Sequence, residues 1–291
     1  MNGAHSTNSD EFIVTKGGVY LYGLATVAAG IMDLHWRDFD PSHQPIQAFG
    51  DHIPGREILA NITAVWMIGG GIAILRRHGI RLGGAALAVI YFIFSVFWLP
   101  RLYTAPYVLG FRIPVLLGVL AGVATQLIVA AAGVLIYASS ETSGLQRPRA
   151  ILFARWIFGL CSISFGLAHL TDVKDNVVYV PKWMPWGGEF WTILTGICFV
   201  LAGLAVLSRI MDVLAARLLA LMLLTFSALT LIPKIFAFPT RHDVWGGNAY
   251  NLAAVGAAWI FADSIASRCA QLETEPGQSL RGFMRNRRRK A

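Results

Sequence analysis

Apolar residues run along this chain in long stretches separated by polar loops, and the stretches are apolar on every face. Crossing about 30 Å of hydrocarbon takes roughly 20 apolar residues in a helix. Runs of that length occupy residues 17–36, 58–75, 81–99, 115–138, 151–170, 190–208, 213–233 and 248–267, which predicts eight membrane-spanning helices. A membrane β-barrel would need segments of about ten residues in strict alternation, and none of these runs alternates. The expected fold class is therefore all-α, a polytopic membrane bundle.

Sliding the chain against itself reveals an internal repeat at an offset of 132 to 134 residues. Leu99-Pro100-Arg101-Leu102-Tyr103-Thr104-Ala105-Pro106 lies over Ile232-Pro233-Lys234-Ile235-Phe236-Ala237-Phe238-Pro239. Phe94-Ser95 lies over Phe226-Ser227, Gly71 over Gly203, Glu57 over Glu189, and His35 over His169. The unit is four spans, an even number, so both copies enter the membrane in one orientation and are expected to be parallel repeats about an axis along the membrane normal. The chain then divides into an N-terminal segment (1–15), a first four-helix repeat (16–138), a Ser-, Gly- and Pro-containing linker (139–149), a second repeat (150–268) and a basic tail (269–291). The two repeats pack on each other or on a second copy of the chain.

Loop charges give the expected orientation. With the N-terminus inside, 16 of the 24 Lys and Arg residues fall in cytoplasmic segments, among them Arg76, Arg77, Arg147, Arg209 and the tail, and eight fall outside. Both termini are thus expected in the cytoplasm of a bacterial inner membrane. Gly118 and Gly122 in the fourth span and Gly69-Gly70-Gly71 in the second are small-residue faces suited to close helix packing in lipid.

Composition agrees. Hydrophobic residues make up 56% and charged residues 14% of the chain, against roughly 45–50% and 25% in soluble domains. The net charge of +8 sits in loops and tail, which reads as topology and attraction to anionic lipid, not as nucleic-acid binding. Cys161, Cys198 and Cys269 have neither C-x-x-C nor zinc-ligand spacing.

Candidate chemistry gathers at the outer face. His35 and His169 end the first span of each repeat, Glu57 and Glu189 open the second, and Arg101 and Lys234 follow the proline that ends the third. An ionisable group at a membrane boundary is a functional candidate because desolvation disfavours it unless it is partnered. One His, one Glu and one cation per repeat suit a polar head such as a quinone carbonyl or a small anion; helix capping, helix-end anchoring and snorkelling account for them equally. Asp33 is the most deeply embedded acid, lies over Leu167 in this alignment, and has Arg37 at i+4 as its simplest partner. His35, His43, His52 and Asp51 make only a poor metal set, and nothing shows that His35 and His169 face one haem. Six tryptophans, Trp183 among them, fall at the outer interface as an aromatic belt.

The second repeat resembles the DoxX-like family of four-span bacterial membrane proteins at His169-Leu170, Val180-Pro181-Lys182-Trp183-Met184-Pro185, Thr195-Gly196, Ala202-Gly203-Leu204-Ala205-Val206-Leu207 and Pro233. The first repeat keeps His35, Pro54, Glu57 and Pro100, and residues 197–201 lack the Glu that related members often carry there. The resemblance implies a four-helix unit and, for a few relatives, membership of quinone-linked systems such as thiosulfate:quinone oxidoreductase. The expected function is a binding or accessory component of such a system, with a redox partner protein and a site at His169, Trp183 and Lys234 mirrored by His35, Arg101 and Asp33. A solute or proton transporter and a non-catalytic scaffold are the alternatives, and no motif names a reaction or an enzyme.

Overall fold

The structure is a computed structural model that describes residues 16–41, 54–140 and 147–288, with side chains described for 17–41, 54–140 and 147–269. These residues are helical throughout, with no strand among them. Helices α1 (Lys16–Trp36), α2 (Arg56–Leu75), α3 (Ile80–Trp98), α4 (Arg101–Leu109) and α5 (Ile113–Ser139) precede the linker. After it come α6 (Arg147–Thr171), a short α7 (Val173–Asn176), α8 (Gly187–Ser208), α9 (Asp212–Phe226), a π segment (Ser227–Leu231), α10 (Ile232–Ala237) and α11 (His242–Arg288). Eight stretches of helix are long and apolar enough to cross a membrane, and this is a multi-pass membrane protein.

Two expectations about extent need correction. The third and seventh spans are each composite: α3 runs on through Pro100 into α4, and α9 through the π segment and Pro233 into α10. The eighth helix begins at His242, six residues before the apolar run, and continues to Arg288, so the segment expected as a tail is helical over most of its length.

Lipid gives helices no hydrophobic reason to associate, so contact geometry decides which pairs form. α1 packs along α2 and along α11; α6 packs along α8 and along α5; α3 packs on α5, and α9 on α11. The α1–α2 and α6–α8 pairs use one arrangement of small residues. A Cβ on Gly71 would lie 2.9 Å from the Gly23 carbonyl oxygen and 2.7 Å from Val27, and a Cβ on Gly203 would lie 2.6 Å from the Gly159 oxygen and 2.7 Å from Ile163. Gly30 meets the Ala64 carbonyl and Ile68 just as Gly166 meets the Gly196 carbonyl and Val200. Both glycines of α6 stand 136 positions after their counterparts in α1, whereas the α8 residues stand 132 after theirs in α2. Matched on these glycine contacts alone, α1 and α6 align at an offset of 136, which lays Asp33 over His169, two positions from the offset of 134 that lays His35 there.

The other glycines divide differently from expectation. Gly70 faces α3 through Leu87, Gly71 faces α1, and Gly69 touches nothing within 4 Å, so the triplet serves two interfaces. Gly122 seats the Trp98 ring, while a Cβ on Gly118 would meet nothing within 4 Å, so within the chain the two glycines of the pair do different work. We expect Gly71→Val and Gly203→Val each to lower stability by about 1–3 kcal/mol through overpacking, and Gly69→Ala to leave it unchanged, as measured by thermal unfolding in detergent.

Candidate functional site

At the end of the bundle that carries His35 and His169, the two halves differ. Asp33 is fully buried, and its Oδ1 accepts hydrogen bonds from the Asp40 backbone N–H at 3.0 Å and from His242 Nε2 at 3.1 Å. The Trp36 indole stacks on the His242 ring at 4.8 Å, nearly parallel, and His35 sits exposed with its ring edge-on to Trp36. This clasp ties α1 to α11. It corrects the expected Asp33–Arg37 pair: α1 ends at Arg37, which has a positive φ, and its guanidinium lies 3.7 Å from Glu57, both side chains well exposed. The buried carboxylate takes the imidazole of a distant helix because the i+4 arginine is already outside the helix.

Arg56 and Asp38 add a two-pronged ion pair, at 2.7 and 2.8 Å, between the start of α2 and the segment after α1. Arg101 lies over the Trp98 ring at 5.4 Å. His35, Asp33 and Arg101 therefore take separate partners instead of converging. His43, Asp51 and His52 lie outside the described residues.

The second half holds a cavity of about 750 Å³ between α8 and α9, within the range of ligand pockets. His169 lines it, with Thr192, Thr195, Asn176, Tyr179 and Trp191 at the same end and Met211, Leu214 and Ala205 at the other. Along α8 the lining runs from Trp191 to Ala205, about 21 Å at 1.5 Å per residue. No Lys, Arg, Asp or Glu is among the described lining residues. Leu201, Leu218 and Leu221 line the cavity and are each more than half exposed, so it opens sideways between the two helices.

Local sequence explains why α8 and α9 part here while α2 and α3 close. In the first half Gly70 and Gly83 let α2 and α3 close up: a Cβ on Gly83 would lie 2.7 Å from the Gly70 carbonyl oxygen, and one on Gly70 would lie 2.7 Å from Leu87. The residues 132 positions later are Ala202 and Ala215, and both line the cavity. Two methyl groups stand where contact needs hydrogens, and α8 and α9 stay apart. Below the cavity Arg155 staples the far end, pairing with Asp212 at 2.6 Å and donating to the Val206 carbonyl at 2.7 Å. Its floor is thus closed and its side open.

The polar end is built by i, i+3 placement on α8. The Thr195 hydroxyl donates to the carbonyls of Trp191 and Thr192, which leaves its oxygen to accept from His169 Nδ1 at 3.3 Å. His169 Nε2 then carries the lone pair. The ring also meets Phe199 edge-on. Thr192 is buried, and its hydroxyl has no hydrogen-bond partner among the described residues. His169, Thr195, Asn176 and Tyr179 thus give a largely apolar cleft one polar end.

Of the other expected residues, Lys234 holds its ammonium 4.5 Å from the centre of the Tyr179 ring, at the rim. Trp183 is 69% exposed and outside the lining, and Glu189 is exposed in the first turn of α8. His35 and His169 do not share a site. Thr192, Thr195, Asn176, Tyr179 and Asn251 were not legible as site residues; the only signal was amide and hydroxyl groups inside apolar runs.

Comparison of the chain with protein-family models, with curated proteins and with solved structures found no match. We expect His242→Ala to lower stability by about 3–5 kcal/mol, since it removes the imidazole partner of a buried carboxylate. Arg37→Ala is expected to change stability by less than about 1 kcal/mol. Thermal unfolding of the two variants side by side checks this.

Proposed function

We propose that the chain is an inner-membrane protein of two parallel DoxX-like halves that takes a neutral amphipathic molecule of the quinone class from the bilayer into the α8–α9 cavity, as the binding or accessory component of a membrane redox system. The observation that carries this reading is the cavity itself: side-opening, about 21 Å long by the helical rise, uncharged, and ending in His169 and Thr192. A side opening suits entry from lipid, and the length suits an isoprenoid or acyl tail. The lack of charged lining disfavours an ionised head within it. A quinone carbonyl accepts from the Tyr179 hydroxyl, which lines the same end, and the hydroxyl of its reduced form donates to His169 Nε2, so both redox forms find a partner. A separate protein would supply or remove the electrons.

The two-half reading is supported by the matching glycine contacts of α1–α2 and α6–α8, and by the crossed packing of α1 on α11 and α6 on α5. The cytoplasmic placement of both termini is supported by the arginines at the end of the bundle opposite His169. Transport is a second reading, favoured by the π segment that interrupts the seventh span.

The test is to purify the protein in mild detergent and identify co-extracted molecules by absorption and mass spectrometry. A stoichiometric neutral isoprenoid is expected, retained at least tenfold less by His169→Leu and by Ala202→Leu and unchanged in Trp183→Ala. Bulk phospholipid alone would overturn the reading. Solute flux in proteoliposomes would move it to transport.

A further inference from the structure

The π segment Ser227–Leu231 is the irregular stretch of the seventh span, and it forms a wall of the cavity. Leu229, Thr230 and Leu231 all line the cavity. Three consecutive residues of an α-helix spread over about 200°; the larger π turn advances each residue less and narrows that spread toward the cavity. A π turn is less favourable than an α turn unless something outside the helix holds it.

Asn251 of α11 is placed to do so. Its Nδ2 donates to the Leu223 carbonyl at 2.7 Å and to Ser227 Oγ at 2.8 Å, the last turn of α9 and the first residue of the π segment. Leu223 O also receives the Ser227 backbone N–H, so the amide adds a second donor where the helical ladder changes its step. Asn251 itself lines the cavity. The first half has no such segment: α3 is regular α-helix up to Trp98, across the positions that correspond to it.

We propose that Asn251 is a positioning residue for the cavity: its amide latches the π segment, and the latched segment holds the α8–α9 cavity open. Without the latch the segment relaxes to α-helix, the residues beyond it rotate, and the wall closes on the cleft. The proposal deepens the binding-site reading, yet its test reads the cavity with no ligand and so can fail separately.

Cys198 lines the cavity and is exposed, while Cys161 is buried. In full-length protein carrying Cys269→Ser, the rate of Cys198 modification by N-pyrenylmaleimide in phosphatidylcholine vesicles reports access to the cavity. Asn251→Leu, similar in shape and without donors, is expected to slow modification at least tenfold, and Asn251→Gln to restore it to within about threefold. Both variants are compared at matched thermal stability of the folded protein, and Ala202→Gly serves as a second variant that narrows the cleft without touching the latch. Modification of Asn251→Leu at the parent rate, or faster, would overturn the proposal. A slow rate in both Asn251→Leu and Asn251→Gln would also overturn it, by showing that the site tolerates no change and that the amide is not what matters.

Discussion

Close approach of helix backbones is the constraint on which this molecule depends. Water drives the burial of apolar faces in a soluble bundle, but lipid tails are as apolar as leucine, and two helices in a bilayer associate only where they fit. At Gly30 and Gly71, and again at Gly159, Gly166 and Gly203, each missing Cβ lets a carbonyl of the neighbouring helix come nearer than a methyl group would permit, and Gly23 makes room for the Leu75 and Ile74 side chains. The first helix of each half is fixed to the second by these contacts, and through them to the last helix of the other half. Larger side chains divide between the core, Tyr22, Tyr91, Phe94, Phe158 and Phe261 among them, and the exposed outer faces of the helices.

The same constraint, relaxed at one place, makes the cavity. Replacing a glycine contact by an alanine adds two methyl groups at a crossing point and moves two helices apart over several turns. Ala202 and Ala215 do this to α8 and α9, and nothing large fills the space, because the facing residues are mostly leucine, alanine and methionine that also border lipid. The Arg155–Asp212 pair keeps the opening from running the full length of the helices. Site and packing are thus one problem: the cavity is a controlled failure of a contact that is complete in the other half.

Hydropathy made the fold class and the number of spans legible, because length and apolarity are what a bilayer demands of a helix. It did not show the π segment, the crossing of halves or the two-residue shift in register. The shift was hidden because loops carry the recognisable motifs: Pro54 and Pro185 align by turn chemistry, while the helix before them slides to suit its glycines. Asp33 illustrates the consequence. An i+4 arginine was its natural partner in a continuous helix, but α1 ends at Arg37, and the partner came from 209 residues away. His169 was legible as a candidate and is in the cavity; Trp183, legible for the same reason, is a surface tryptophan.

Asp33 near the end of α1 and His169 near the end of α6 stand in different surroundings. Beside Asp33 the helices α2 and α3 are closed, and its Oδ1 takes the Asp40 backbone N–H and the His242 imidazole, which joins α1 to α11. Beside His169 the helices are open, and one threonine satisfies one ring nitrogen while the other nitrogen keeps its lone pair. The buried acid thus holds α1 to α11, whereas the histidine stands at the polar end of a cavity between helices that stay apart.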